Sequence, residues 1–348
     1  MAGVPGFETV AGAFLSGGIA LTGGPGKGST ETMVPEGRES LGMRSESGGF
    51  IVGLDGRPAF TLRSSASSPI PVLITVPHAG RDYPSALLAE MRDPEYACLR
   101  LEDRMIDLVA QEVARQTGAA LIVAQAPRAM LDLNRARDDI DWDMIVGQRP
   151  HPVRHSQANW RARSGLGLIP RRLAGFGEIW RGQIDREELE QRIDGIHRPY
   201  HAATARELAR IRDEWGAAML VDLHSMPPLR RSPGKAGPLH FVLGDRFGTS
   251  CDAVLASQGF RYLEARGMGV AHNRPYAGGF VLDKHGAPAN GLHALQLEIC
   301  RSIYLDARME EVTPRMLPLA RLLAGFIREM GAAVARMAGE ASFRQAAE

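Results

Sequence analysis

The sequence has few of the residues that mark a disulfide-rich, membrane-spanning or nucleic-acid-binding protein. Its 348 residues include only three cysteines, with no CxxC pair among them. We therefore expect neither a zinc ribbon nor a disulfide framework, but reduced and mostly buried thiols in a cytoplasmic protein. No apolar run is long enough to span a bilayer. The 41 basic and 40 acidic residues nearly balance, so we expect no nucleic-acid or membrane-surface partner. The sequence does not indicate an oligomeric state.

Composition divides the chain into two parts. Residues 1–48 are rich in Gly, Ser and Thr and lack the basic start of a signal peptide. We predict a flexible arm here, with Met33 and Met43 as alternative start positions. Residues 49–340 are predicted to form a single domain. Within it, residues 136–184 are polar and rich in Arg and Gly, and a stretch of this length favours a functional lid or substrate loop.

The rest of the domain alternates between strand and helix patterns. Helical periodicity covers residues 101–117, residues 185–215 with a predicted break at Pro199, and the C-terminal region. The pattern predicts a three-layer α/β fold, with a mostly parallel or mixed central sheet and helices on both faces. The predicted strands are "PVLITV" (71–76), "ALIVA" (120–124), "AAMLVDL" (217–223), "LHFVLG" (239–244) and "HALQLEIC" (293–300).

Ionisable side chains stand where several of these strands end. His78 follows the first strand, Asp222 and His224 end the third, and Glu298 lies near the end of the fifth. In the fifth strand the residues at 295, 297 and 299 are apolar and face away from Glu298. Ligands of open α/β sheets bind beyond the carboxyl ends of the strands, so we expect these side chains to form one site.

Two histidines and one carboxylate are the usual ligands of an open zinc site. We predict one divalent ion per chain, most simply zinc, held by His78 and His224, with Glu298 as general base. The third ligand is Asp103 or Asp107, which lie one helical turn apart. We prefer Asp103, because it is nearer the predicted helix start and therefore nearer the strand ends.

Arginines near the second strand suggest an anionic substrate. Arg128 and Arg135 flank the apolar "MLDLN", and a guanidinium can bind a carboxylate through two parallel hydrogen bonds. Hydrolysis of an amide or ester in an anionic substrate follows as the predicted reaction class. His197 and His201 also have the i, i+4 spacing of helical zinc ligands, but the HExxH glutamate is absent and Pro199 stands between them. We therefore expect His201 to contact substrate or to support the site.

Seven segments resemble, in order, the N-formylglutamate amidohydrolase family, over about residues 70 to 310. The resemblance implies a phosphorylase/hydrolase-like α/β fold and the hydrolysis of N-formyl-L-glutamate to formate and glutamate, the last step of one histidine degradation route. The segments are "PHAGRDYP", "LEDRMIDL", "LDLNRARDDID", "RPYH", "VDLHSMPP", "FVLGDRFGTSC" and "LQLEICRSIYLD".

The resemblance also implies residue roles. It makes His78 and His224 metal ligands and Glu298 the catalytic carboxylate. The Arg…Asp-x-Asn-Arg pattern of related enzymes falls on Arg128, Asp132, Asn134 and Arg135, which gives Arg128 a catalytic and substrate-binding role and assigns Asn134 and Arg135 to substrate. We add Arg181, in the Arg-rich insert, and His201 to the predicted substrate contacts.

The sequence departs from the family pattern at two positions, and other functions remain open. Arg81 stands where a carboxypeptidase-type His-x-x-Glu would have its glutamate, and Ala79 replaces the family's usual serine. The first alternative is an N-acyl amino acid deacylase or a carboxypeptidase-like hydrolase acting on another anionic substrate. The second alternative is a non-catalytic protein that binds a small anion. The joint presence of His78, His224 and Glu298 argues against the second.

Overall fold

A mixed sheet of eight strands forms the centre of the fold in this computed structural model, which describes residues 42–147, 162, 164–229 and 237–345. A separate two-stranded ribbon consists of β5 (Arg172–Leu173) and β6 (Gly177–Glu178). The sheet strands are β1 (Met43–Gly48), β2 (Phe60–Ser65), β3 (Val72–Val76), β4 (Ala120–Ala124), β7 (Ala218–Met226), β8 (Phe241–Gly244), β9 (Val270–His272) and β10 (Leu292–Cys300).

The sheet order is β1-β2-β4-β3-β7-β10-β8-β9. The four central strands, from β4 to β10, run parallel, whereas β8 is antiparallel to β10 and β2 is antiparallel to β4. The described helices are α1 (Ser85–Ala89), α2 (Pro94–Leu101), α3 (Ile106–Thr117), α4 (Arg186–Arg192), α5 (Arg198–Trp215), α6 (Ala253–Glu264), α7 (Phe280–His285) and α8 (Met316–Gln345).

Helices cover both faces of the sheet. Along β3, Val72, Ile74 and Val76 point into one apolar core with α3, α6 and α8, while Leu73 points into a second core with α4, α5 and α7. Burial on both faces explains why the central strands are continuous apolar runs in the sequence. The predicted three-layer α/β fold with a mixed sheet is confirmed.

The predicted helix over residues 101–117 is wrong in one respect that matters for the site. Two helices, α2 and α3, are separated by residues 102–105, and Met105 has a left-handed φ of 57°. The backbone N–H of Asp103 donates to the carbonyl of His78 at 2.9 Å. Asp103 therefore lies in the connection between the helices, tied to the segment that follows β3, and does not start a helix.

The predicted break at Pro199 is also wrong. A π-helical turn, Ile193–His197, joins α4 to α5, so the chain stays helical from residue 186 to residue 215. Proline has no backbone N–H and leaves a preceding carbonyl without its helical partner. The carbonyl of Gly195 instead accepts a hydrogen bond from the N–H of Phe50 at 2.9 Å.

The edges of the fold differ from the sequence prediction. Residues 43–48, assigned to the flexible arm, form β1 and pair with β2, so the domain begins before residue 43. The rest of the predicted arm lies outside the described residues.

In the insert, Leu168, Ile179 and Trp180 are buried in the second core. All three cysteines are free thiols, and two of them, Cys251 and Cys300, are buried. Among the described residues, no helix has the length and apolar character needed to cross a membrane.

Candidate active site

His78, Asp103 and His224, which we call the ligand group, come together at the carboxyl end of the central strands. His78 follows β3, and His224 lies near the end of β7, which is the parallel neighbour of β3. One ligand atom from each of the three residues lies within 4.8 Å of the others, and all three side chains are buried. The structure therefore brings these strand ends together at one edge of the sheet.

Carboxylates fix the orientation of both imidazoles. Asp132 Oδ1 accepts from His78 Nε2 at 2.7 Å, and Asp222 Oδ2 accepts from His224 Nε2 at 2.8 Å. The Nδ1 atoms of both rings consequently face Asp103, at 3.5 Å from His78 and 2.8 Å from His224. A histidine that donates one N–H to a carboxylate and presents its other nitrogen is the usual arrangement around a protein-bound metal.

The donor set of the ligand group fits a divalent cation. His78 Nδ1 is buried without a hydrogen-bond partner among the described residues. Three buried carboxylates, Asp103, Asp132 and Asp222, surround the two imidazoles. Buried acceptors and a buried nitrogen lone pair are unfavourable without a partner, and a metal ion would provide one.

Burial and neighbouring charges shift the pKa values of the ionisable groups in the site. Burial opposes ionisation of Asp103, but the hydrogen bond from His224 and the nearby imidazole of His78 outweigh it and lower the pKa of this carboxyl group. Burial also opposes protonation of His224, but Asp222 and Asp103 raise its pKa well above the usual value. For Asp132, burial is outweighed by Arg128 and His78, so its pKa is lowered. Asp103 and Asp132 are therefore ionised at neutral pH.

Asp107 is not part of the ligand group. Its two carboxylate oxygens each accept from the guanidinium of Arg81 at 2.8 Å. Arg81, which stands in place of the glutamate of a His-x-x-Glu motif, thus pairs with Asp107, the alternative third ligand. Arg301 lies on the other side of Asp103, with Nη2 at 3.6 Å from Asp103 Oδ1, and also donates to the backbone carbonyl of Glu102. The geometry therefore favours Asp103 over Asp107.

Glu298 stands beside the ligand group on β10. Its Cα is paired with that of His224 across the parallel β7–β10 ladder, and its side chain is buried. Burial raises the pKa of Glu298 to about 7, although the positive charge of His224 opposes the shift. A carboxyl group that titrates near neutral pH can both accept and return a proton. The alternation predicted for this strand is confirmed, since Leu295, Leu297 and Ile299 lie in the apolar core.

The two predicted substrate arginines have different surroundings. Nε and Nη2 of Arg128 both lie 3.0 Å from Asp132 Oδ2, and its side chain remains 23% exposed. Arg135 is buried, and it donates to the carbonyls of Leu166 at 2.9 Å and Asn134 at 2.8 Å. Arg128 therefore borders the ligand group and keeps an accessible part, whereas Arg135 ties the insert to the segment after β4.

The other predicted substrate contacts are hydrogen-bonded within the protein or lie apart from the ligand group, and Asn134 Nδ2 is 3.4 Å from His224 Nε2. Asn134 and His201 are buried and hydrogen-bonded to other parts of the chain. The side chain of Arg181 is exposed, and its backbone N–H donates to the carbonyl of Glu90, in the connection between α1 and α2. Substrate binding by these three residues stays a prediction.

Two residues near Glu298 had no role in the sequence prediction. Gln296 donates from Nε2 to Glu298 Oε1 at 2.9 Å, and its position two residues earlier on the same strand face was the signal for it. Tyr276 packs against a small apolar cluster formed by Met226 and Cys300, at the ends of β7 and β10, and by Val242. Burial, Glu298 and Asp103 raise the pKa of its phenol. The sequence carries no signal for Tyr276, because a loop after β9 brings it to this edge.

The chain is similar in sequence to known proteins. A family model described as N-formylglutamate amidohydrolase matches residues 70–305. The chain is 33% identical over 260 residues to the N-formylglutamate deformylase of Pseudomonas putida, covering 70% of this chain and 84% of that protein. It is 29% identical over 241 residues to the N-formylglutamate deformylase of Pseudomonas aeruginosa, covering 68% and 83%.

Solved structures show the same relationship. The N-formylglutamate amidohydrolase from Ralstonia eutropha superposes with a TM-score of 0.71 at 31% identity, over 80% of this chain and 99% of that one. A gene product from Agrobacterium tumefaciens, at 18% identity and a TM-score of 0.55, shares the fold over 79% of this chain and 96% of its own. On the family match and these relatives, the chain belongs to the N-formylglutamate amidohydrolase family.

Proposed function

We propose that the protein is a metal-dependent amidohydrolase that converts N-formyl-L-glutamate to formate and L-glutamate, the last step of one histidine degradation route. The names of its relatives support this substrate. The observation that carries the chemistry is the ligand group itself: His78 Nδ1, His224 Nδ1 and an Asp103 oxygen face one another beside Glu298. This arrangement suits hydrolysis assisted by a metal ion.

His78, Asp103 and His224 would hold one divalent ion, most simply zinc. Such an ion supplies Lewis-acid activation of water and of the formyl carbonyl. Asp132 and Asp222 would keep both imidazoles in the tautomer that presents Nδ1. Arg301 would keep Asp103 in place through its contacts with residues 102 and 103.

Glu298 would handle the protons of the reaction. It takes a proton from the water that attacks the formyl carbon, and it then gives that proton to the nitrogen as the C–N bond breaks. The products are formate and glutamate, which now carries a free amino group. Both roles need a carboxyl group whose pKa lies near the working pH, and burial raises that of Glu298 to about 7.

Arg128 would bind the anionic part of the substrate. Asp132 holds its guanidinium beside the ligand group while part of the side chain stays accessible. A guanidinium in this position can bind a substrate carboxylate or the oxygen that gains negative charge in the transition state. Arg135 is our second candidate for a substrate carboxylate, and the insert segment it contacts would then influence substrate choice.

The test is a substrate comparison with the purified enzyme. Formate release is measured from N-formyl-L-glutamate and N-formyl-L-glutamine, and glutamate release from N-acetyl-L-glutamate. We expect the highest kcat/KM on N-formyl-L-glutamate, loss of activity with a chelator and recovery on addition of zinc. Preference for an N-acetyl or uncharged substrate would replace the proposal with the deacylase alternative. Full activity in the chelated, metal-free enzyme would contradict metal dependence.

A further inference from the structure

Both the oxygen and the nitrogen of the Asn134 side-chain amide form hydrogen bonds within the protein. Its Oδ1 accepts from the backbone N–H of Val281 at 3.0 Å, in the first turn of α7. Its Nδ2 donates to Gln296 Oε1 at 3.2 Å and also lies 3.4 Å from His224 Nε2, which itself donates to Asp222. Gln296 Nε2 in turn donates to Glu298 Oε1 at 2.9 Å. Two amides therefore connect the start of α7 to Glu298.

The direction of this chain of hydrogen bonds is fixed at its origin. A backbone N–H can only donate, so the atom of Asn134 that faces Val281 must be the oxygen. The amide nitrogen of Asn134 then faces Gln296, which must present its own oxygen to it. The nitrogen of Gln296 is left to face Glu298, so the last amide donates to the carboxylate.

The backbone around Asn134 is held on both sides. His201 Nε2 donates to the carbonyl of Leu133 at 3.0 Å, and His197 Nε2 donates to the carbonyl of Arg135 at 2.9 Å. A Cβ atom at Gly279 would lie 2.5 Å from Asn134 Oδ1, so the chain before α7 approaches this closely only because residue 279 is glycine. Asn134 thus has little freedom to turn its amide.

A third histidine links these supports. His201 Nε2 donates to Leu133, so His201 Nδ1 is an acceptor, and it lies 3.0 Å from His285 Nε2. His197, His201 and His285 form what we call the histidine cluster, which joins α5 to α7. Burial lowers the pKa of His285 to about 3 and that of His197 to about 4, and it also lowers that of His201. The cluster is uncharged at neutral pH.

We propose that Asn134 and Gln296 are positioning residues for Glu298, with the histidine cluster holding Asn134 in its one productive orientation. The inference rests on the proposed function for the role of Glu298. Gln296 occupies Oε1 of the carboxylate and fixes its rotamer, which makes Oε2 the oxygen that exchanges protons with water and substrate. Asn134 acts through Gln296 and does not bind substrate in this account.

The test uses Gln296→Met, which keeps side-chain length and removes the donor, and Asn134→Asp. In Asn134→Asp an oxygen replaces the nitrogen that faces Gln296, so Gln296 must turn its own oxygen towards Glu298. For both variants we expect kcat on N-formyl-L-glutamate to fall roughly tenfold to 100-fold, the range for a hydrogen bond to a charged group. KM should change by less than about threefold in both variants, and the bound metal should be unchanged in Gln296→Met, whose side chain does not contact the ligand group in this account.

The matched control is Gln258→Met. Gln258 Nε2 also donates to a glutamate oxygen, that of Glu329, but in the contact between α6 and α8. We expect normal kcat in this variant. If Gln296→Met does not fold, as judged by its melting temperature, Asn134→Asp carries the test, because it preserves the shape of the side chain.

A double-mutant cycle separates positioning from general structural support. In a Glu298→Gln background, Gln296→Met should cause less than a threefold further loss of kcat, since its effect passes through the carboxylate. An equal loss in both backgrounds would overturn the inference, and so would a KM increase of tenfold or more with normal kcat in Asn134→Asp. If the wild type releases no formate, the proposed function fails and the inference fails with it, whereas an active wild type with fully active variants refutes the inference alone.

Discussion

Two groups of buried histidines contact the same short segment, residues 132–135, and have different partners. In the ligand group, His78 and His224 each donate to an aspartate and turn Nδ1 towards Asp103. In the histidine cluster, the described hydrogen bonds run to backbone carbonyls or to another histidine. Carboxylates raise the pKa of His224, whereas burial lowers that of His201.

Hydrogen bonds to aspartates, rather than sequence spacing, make a buried histidine a ligand candidate in this fold. His197 and His201 have the spacing of helical zinc ligands, and their ring centroids lie only 4.4 Å apart. Their Nε2 atoms, however, donate to the carbonyls of Arg135 and Leu133. Spacing alone does not distinguish the two groups, and the aspartates do. Variants of the two groups should therefore differ in turnover, metal affinity and acid stability.

Replacing Glu298 with glutamine should have the largest effect on turnover among these variants. Glu298→Gln keeps the shape of the side chain and its place beside the ligand group but removes the proton acceptor. We expect kcat to fall roughly 10²-fold or more, the usual contribution of general acid–base catalysis. Metal content should stay normal. Glu207→Gln, a buried glutamate that pairs with Arg210 on α5, is the matched control. Near-normal turnover in Glu298→Gln would make this carboxylate a structural residue.

Removing the charge of Arg128 should weaken recognition of the anionic substrate. For Arg128→Gln we expect kcat/KM on N-formyl-L-glutamate to fall by about tenfold to 150-fold, because a hydrogen bond to a charged group contributes about 1.5–3 kcal/mol. Arg210→Gln removes an equally paired arginine on α5 and should leave kcat/KM unchanged. The assignment fails if Arg128→Gln is as active as the wild type.

The aspartates that orient the imidazoles should control metal affinity. Asp132→Asn and Asp222→Asn remove a charged acceptor from His78 and His224. We expect the dissociation constant for zinc, measured by competition with a chelator, to rise about 10–100-fold. Asp245→Asn serves as the control, because Asp245 is also a buried carboxylate bonded to a histidine, His272. Equal zinc affinity in all three variants would mean that the carboxylates do not distinguish the two groups of histidines.

The uncharged histidine cluster should make the fold sensitive to acid. Burial depresses the pKa of His285 to about 3 and of His197 to about 4, below the value of about 6.5 expected in the unfolded chain. The unfolded state therefore binds more protons below pH 6.5. The contribution of the cluster to the free energy of unfolding is therefore fully present above pH 6.5. It decreases as the pH falls towards 4.

His285→Gln can still donate to His201 and removes one of these titrating groups. The free energy of unfolding of metal-free protein, measured in urea between pH 7 and pH 4.5, should fall less steeply in this variant than in the wild type. Parallel slopes would show that His285 is not held uncharged in the folded state. This is the smallest of the predicted effects, since at most one proton per chain is involved.

The sequence was sufficient to predict the strands and residues that define the ligand group. Strands β3, β7 and β10 are buried on both faces, so they appear as apolar runs, and as parallel neighbours they bring His78, His224 and Glu298 to one edge. Asp103 was found by its distance from the predicted helix start, although the helix begins later, at Ile106. Strands β1, β2 and β9, which lie at or next to the edges of the sheet, were missed, because a strand that is partly exposed gives a weaker apolar signal.

The partners of individual side chains could not be predicted in the same way. Arg135 lies in a motif typical of substrate binding, yet it donates to the carbonyl of Leu166, 31 residues along the chain. His285 had no role in the prediction, because only the packing of α5 against α7 brings it to His201. Such contacts depend on tertiary structure, whereas residue type and strand position indicate only which end of the sheet a side chain occupies.

The metal content of the purified protein tests the central claim most directly. Wild type and His285→Gln should each hold about one divalent ion per chain by elemental analysis, whereas His224→Ala should hold none. His285→Gln changes a buried histidine outside the ligand group, so it controls for a general effect of losing one. Full occupancy in His224→Ala, or a loss of metal in His285→Gln as large as in His224→Ala, would contradict the assignment of the metal to His78, Asp103 and His224.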